Sequence, residues 1–273
     1  MNIEPVILCH LNFNNIVLKT QPTSLLLLSL AFIAIFSACE KELDTGASEK
    51  YKEQLKESYR YYPLELNKSW IYSIDSIYYS DNLGIIEVDT VRGIYRETLV
   101  DTFRNENDQL VYRCLKEKKN VNQTWSVLRV YSLTVLTNQL LRTEDNVTLV
   151  DLIFPIRSGS RWDTRVFIDS DANYLIRGKA INLFKDWPDT YVANEYNGEY
   201  NGTATPMIDI IDVEADNNII LYKSSHRTYA RGVGMIRKEQ AFFTTQRTED
   251  PDLPWEQKAE IGFKAIQTLL EYK

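Results

Sequence analysis

"SWIYSIDSIYYS", Ser69 to Ser80, decides how the chain folds. Its large apolar residues recur at every second position, with Trp70, Tyr72, Ile74 and Tyr78 on one face. That period belongs to a half-buried strand, because successive strand side chains point to opposite faces. The pattern continues downstream. "DNLG" turns the chain, a β-branched run extends from Ile85 to Phe103, and "RNENDQ" interrupts it. "LVYRCLKEK" and "TWSVLRVYSLTVLT" follow, separated by "NVNQ". "PMIDIIDVEADNNIILYKSS" reads as a hairpin turning at Asp216-Asn217-Asn218, residue types that tolerate turn dihedrals. Long strands at this spacing predict an all-β domain: an antiparallel curved sheet, half-barrel or barrel-like.

The segment before this strand has an echo. "YPLELNKSWIYSI" from Tyr62 and "FPIRSGSRWDTRVFI" from Phe154 both place a Trp seven residues after an aromatic-Pro pair. Trp70 and Trp162 are 92 residues apart. A duplication would build the sheet from two similar halves; chance similarity is the alternative. The C-terminal "WEQKAEIGFKAIQTLLEYK" is ambiguous. Ala259, Phe263, Ile266 and Leu270 have helical spacing, whereas Gly262 would cost a helix interior about 1 kcal/mol.

Upstream, residues 1–38 read as a leader. The apolar run Leu25 to Phe36 has twelve residues, shorter than the roughly 20 that a membrane-crossing helix needs. It suits the core of a signal peptide. The following Phe36-Ser37-Ala38-Cys39 resembles the lipobox of bacterial lipoproteins, with Phe36 where Leu is usual. That resemblance implies acylation of Cys39 and a membrane partner reached through the N-terminal lipid, since two or more acyl chains anchor firmly. The acidic "EKELD" after Cys39 is similar to the signal that carries Bacteroidota lipoproteins to the cell surface. The expected location is the cell envelope at the outer membrane, with the periplasmic and external faces both open. Residues 39–60 are charged and poor in large aliphatics, so they read as a lipidated tether with one or two helical turns in "SEKYKEQLKESY". Residues 61–273 then form a single β domain.

"YYPLELNKSWIYSID" and the later "YARGVGMIRKE" together resemble a recurrent class of Bacteroidota envelope lipoproteins of unknown function. In that class an aromatic-Pro-Leu and Trp-x-Tyr opening strand accompanies a late Gly-Val-Gly strand. The resemblance implies an all-β domain that ends in a strand, and it supplies no catalytic residues. Asn67 stands where Gly is often found before the Trp, which leaves the shape of that turn open.

Composition narrows the function classes. A formal charge of −7 and a pI near 5.1 lack the basic footprint of a nucleic-acid binder. With Cys39 lipidated and Cys9 removed with the leader, Cys114 is the remaining thiol and reads as a small buried residue. Seventeen Tyr and five Trp suit strands and surfaces that are apolar at one end and wet at the other.

No catalytic motif or cofactor signature is present, and neither an enzyme nor a cofactor is expected. His226 is the one histidine after the leader; a hydrolase built on it needs Ser and Asp from elsewhere. Asp212, Glu214 and Asp216 are spaced like the opening of a calcium loop, but the Gly wanted at its sixth position is missing and Lys223 ends it, so no metal site is expected. "EYNGEYNG", Glu195 to Gly202, reads as an exposed loop that displays Tyr196 and Tyr200, with Trp187 nearby as a third candidate ligand contact. Asp-Ser-Ile at Asp75 and Asp-Thr-Val at Asp89 resemble a Bacteroidota O-glycosylation pattern, which makes Ser76 and Thr90 acceptors if they are exposed. The expected function is non-catalytic binding or structural support in the envelope. The candidate partners are an envelope protein, a glycan or a hydrophobic ligand carried in the curved sheet.

Overall fold

The computed structural model describes residues 45–249 and 251–273. The leader, the lipobox and Cys39 lie outside the described residues. Residues Glu49–Lys273 make one compact unit. It begins with part of a helix, α1 (Thr45–Tyr59), longer than the one or two turns expected of the tether. The first turns of α1 from Ser48 are exposed, and its C-terminal end docks. The Ser58 hydroxyl accepts from the Ile156 N–H at 2.9 Å, and the Tyr59 hydroxyl donates to the Thr137 carbonyl at 2.8 Å. Ser58 is buried, so this stretch belongs to the domain rather than to a free linker.

Fourteen strands follow among the described residues. The first six, β1 (Ser69–Asn82), β2 (Ile85–Arg104), β3 (Leu110–Lys119), β4 (Trp125–Val135), β5 (Gln139–Glu144) and β6 (Val147–Ile153), form an antiparallel meander. A second meander contains β7 (Arg161–Trp162), β10 (Thr190–Tyr200), β11 (Thr203–Asn217), β12 (Leu221–Ala230), β13 (Gly234–Thr244) and β14 (Ile261–Tyr272). Between β7 and β10 the chain makes a separate hairpin, β8 (Tyr174–Ile176) with β9 (Lys179–Ile181). A four-residue helix, α2 (Trp255–Lys258), lies between β13 and β14. The C-terminus is a strand.

Pairing of β1 with β14 joins the two meanders into one twelve-stranded sheet whose outermost strands are β6 and β7. Those two edges meet. The Val150 N–H donates to the Thr164 carbonyl at 2.9 Å, and the Trp162 indole donates to the Val150 carbonyl at 3.0 Å. The sheet is therefore a nearly closed barrel, which protects strand edges that would otherwise invite pairing with other chains. The turns at 82–85, 104–110 and 119–125 fall where the polar breaks predicted them. The later hairpin turns at Asn218 to Leu221, slightly beyond its expected position, because Asp216 and Asn217 still pair with Lys223 and Tyr222.

The Pro–Trp echo is a structural repeat. Trp70 lies opposite Glu97 on β2, and Trp162 lies opposite Thr190 on β10. Before each Trp, one residue of the second strand bonds back to the approaching chain. Leu99 accepts from the Asn67 N–H and donates to the Lys68 carbonyl; Val192 accepts from the Gly159 N–H and donates to the Ser160 carbonyl. Asn67 (φ 67°) and Gly159 (φ 79°) share the left-handed conformation, which Asn tolerates better than most residues. The Asn that replaced the expected Gly thus keeps the turn. Trp70 also meets the late Gly-Val-Gly segment, donating to the Val233 carbonyl at 2.6 Å.

A large core runs through the first-strand ends and includes Tyr61, Trp70, Leu99, Leu133, Ile208 and Ile210. Cys114 is fully buried there, and burial pushes its thiol pKa up to about 12. A satellite core forms on the outer face of the opposite end, where Trp255 of α2 covers Phe243 and Tyr79.

Candidate functional site

The alternation that closes the barrel also directs polar side chains inward, around a cavity of about 570 Å³. Its inner wall includes Tyr62, Trp70, Tyr72 and Tyr229, and its lining reaches Arg129, Asp145, Val147 and Leu175. Leu175 is 77% exposed and the Asp145 side chain 64%, so these residues mark the mouth. The opposite end is filled by the chain between α1 and β1.

Two ionic clusters face each other in this space. On the first meander, Arg142 of β5 reaches Glu144 at 2.8 Å and Glu97 of β2 at 3.5 Å. Lys116 of β3 stands 3.4 Å from Glu97, and the Tyr131 hydroxyl donates to Glu97 at 2.7 Å. Burial works against ionisation of Glu97, but Arg142 and Lys116 outweigh it and hold the carboxyl below its ordinary pKa. The same competition at Glu144, with Arg142 foremost and Lys116 and Arg129 behind it, gives a pKa of about 2.

On the second meander, Arg227 of β12 forms a two-pronged bond to Asp212 of β11, at 2.9 and 2.5 Å. It also bonds to the Asp151 carboxylate on β6 and, at 3.0 Å, to the Tyr229 hydroxyl. Asp212 accepts from Ser225 at 2.9 Å and Thr190 at 3.3 Å. Planar guanidinium–carboxylate pairs of this kind fix orientation as well as charge. Arg227 thus fastens β12 and β11 to β6, across the seam where the barrel closes.

Acid should loosen the first cluster. A carboxyl whose folded pKa is depressed adds stability that is complete above its unfolded pKa and is lost as pH falls through the folded one. For Glu144 the window runs from the ordinary value of 4.5 down to about 2, and the loss is at most about 3 kcal/mol. Urea midpoints measured between pH 6 and pH 2 should fall more steeply for the wild type than for Glu144→Gln. Parallel curves would show that the cluster carries no such linkage.

The sequence-predicted residues are dispersed. Trp187 is buried, packs edge-on to Phe184 with ring centroids 4.9 Å apart, and lines the cavity. Tyr196 and Tyr200 lie within β10 rather than on a loop, because "EYNGEY" pairs with β11 up to Thr203. Only the last Asn-Gly forms the turn. The Tyr196 ring is 41% exposed, with its hydroxyl donating to Asp209 at 3.4 Å; Tyr200 packs near Tyr272. Neither lines the cavity, so the three aromatics do not form one platform.

Ser76 is 4% exposed on the central strand β1, which does not meet the exposure condition for a glycan acceptor; Thr90 is exposed on β2. His226 is exposed on β12. Its neighbours in the chain, Ser225 and Arg227, point inward, so His226 faces away from the cavity. Asp212 of the calcium-like spacing is held by Arg227, and the described residues contain no group of three or more metal-ligating side chains.

Sequence reasoning missed the inward ion pairs and Lys238, which lines the cavity beside Gln240 and Gln267. The only signal was charge at core-facing parity inside strands.

No protein-family model matches this chain, and no curated protein matches it. Among solved structures, a candidate exported protein with a YmcC-like fold from Bacteroides fragilis is 9% identical with a TM-score of 0.36, covering 77% of this chain and 97% of that one. A candidate lipoprotein from Parabacteroides distasonis is 9% identical with a TM-score of 0.31, covering 78% and 98%. Likenesses at this level do not bear on function.

Proposed function

We propose that this is a non-catalytic, lipid-anchored binding protein of the cell envelope whose barrel interior holds a small ligand. The observation that carries the reading is the cavity itself. Its volume of about 570 Å³ falls within the roughly 300–1,000 Å³ usual for small-molecule sites. A barrel serving only as a scaffold has no need of such a space, because voids cost stability. The lining is mixed: aromatic rings on one side, ion pairs on the other. That composition favours a ligand with both apolar and polar parts over a purely hydrophobic cargo. The lipobox at Cys39 supports the envelope location. A glycan platform on Tyr196 and Tyr200 has less support, since one hydroxyl is engaged and the other ring packs near Tyr272.

Native mass spectrometry of the chain purified from an envelope-bearing host tests the reading. The expected result is an added mass present in the native spectrum and lost on denaturation, which separates a held ligand from covalent acylation. A bare chain that also takes up no small amphiphile would overturn it.

A further inference from the structure

We propose that the cavity takes a compact amphipathic organic anion, with its carboxylate or phosphate head on Lys238 and its apolar body against the wall around Trp187. This rests on the interior-binding reading and specifies its ligand. Lys238 of β13 lies directly opposite Gln267 of β14, with Gln240 two residues along the same strand. All three side chains line the cavity. The other lining cations are matched: Lys116, Arg129, Arg142 and Arg227 each have a carboxylate within 3.5 Å. The Lys238 ammonium has no ion pair or side-chain hydrogen bond among the described residues, and its cross-strand neighbour on β12 is Arg227, already committed to Asp212 and Asp151.

The carboxylates point to the same sign of ligand. Glu97, Glu144, Asp145, Asp151 and Asp212 are each bonded to a cation, so a cationic ligand would have to break a pair to enter. An anion needs to break none. The Trp187 side chain also lines this space, and its indole N–H is buried with no acceptor among the described residues. Leu183, Phe184 and Leu149 supply apolar surface nearby. Burial first, then Arg227, lower the Lys238 pKa despite the pull of the more distant Asp212 and Asp151, a cost that an anion seated beside the ammonium would relieve.

The test uses octanoate, octyl phosphate and octanol, three probes with one tail and different heads, titrated by tryptophan fluorescence into the full chain. The expected result is at least ~10-fold tighter binding of one or both anions than of octanol, which corresponds to about 1.4 kcal/mol. Whichever anion binds more tightly identifies the head. Lys238→Met should erase the preference and Lys238→Arg should retain it. Equal affinity for octanol and both anions, or a preference that survives Lys238→Met, would overturn the anionic head while leaving the interior reading intact. If no probe binds, both fail together.

Discussion

Arg227→Met is expected to destabilise the protein by about 3–5 kcal/mol, the usual result of removing one partner from a buried ion pair. Met fills most of the volume, so the loss reflects electrostatics rather than a cavity. Asp212 loses both bonds of its pair and keeps only the Ser225 and Thr190 hydroxyls. Asp151 loses the cation that ties β6 to the second meander. At about 2–4 °C per kcal/mol for a chain of this size, the melting temperature should fall by roughly 10 °C. Combining Arg227→Met with Asp212→Asn should recover part of the loss, because the stranded charge is then gone. If the single variant melts within a degree or two of wild type, Arg227 does not hold the seam. Hydrogen exchange offers a local readout, since opening of the seam should expose the Val150 amide before those of the central strands β1 and β14.

Gly262→Ala should be similarly damaging, for a steric reason. A Cβ at this position would stand 2.0 Å from the Phe242 carbonyl oxygen, and the backbone sits at φ +143°, which side chains rarely adopt. Gly262 lies between Phe243 of β13 and Tyr79 of β1, so relief requires separating strands in the middle of the sheet. Overpacking costs about 1–3 kcal/mol and backbone strain a further 1–3, which predicts a loss of about 2–6 kcal/mol in urea unfolding. Gly159→Ala is the control. It shares a positive φ but has no atom within 4 Å of the added methyl, and should lose about 1 kcal/mol. Equal losses in the two variants would show that φ, not the Phe242 carbonyl, sets the cost at Gly262.

Much of this architecture is legible in the sequence, because strand parity and turn chemistry are local. The parity that sets Trp70, Tyr72 and Ile74 on one face places Ser76 there as well, so its burial followed from the same pattern. The Pro–Trp echo survives because it encodes a turn and a strand start, both made within a few residues. The interior is a different matter. Arg227 meets Asp151 only after the sheet has curved back on itself, 76 residues apart in sequence, and no local pattern reports which edges will meet. Trp187 escaped for a related reason: it lies outside the regular strands, in the excursion after β7, and its place is set by packing on Phe184 and Val213. The tandem "EYNGEYNG" misled because two identical tetrapeptides occupy different structures, the first paired in β10 and the second ending at its turn.

The repeat has a consequence for the asymmetry of the site. β1 and β7 are the opening strands of their meanders, β2 and β10 the second, β5 and β13 the fifth. In one copy the second strand offers Glu97 and the fifth offers Arg142, and the two answer each other. In the other copy the position facing the Trp holds Thr190, and the fifth strand carries Lys238. A hydroxyl at that address cannot neutralise an ammonium. The frame is nearly twofold while its inner chemistry is lopsided, one half self-sufficient and the other left with a charge to spare. An occupant seated as proposed would meet two unlike walls, and Lys238, the cavity-lining cation with no carboxylate partner among the described residues, would decide which way round it sits.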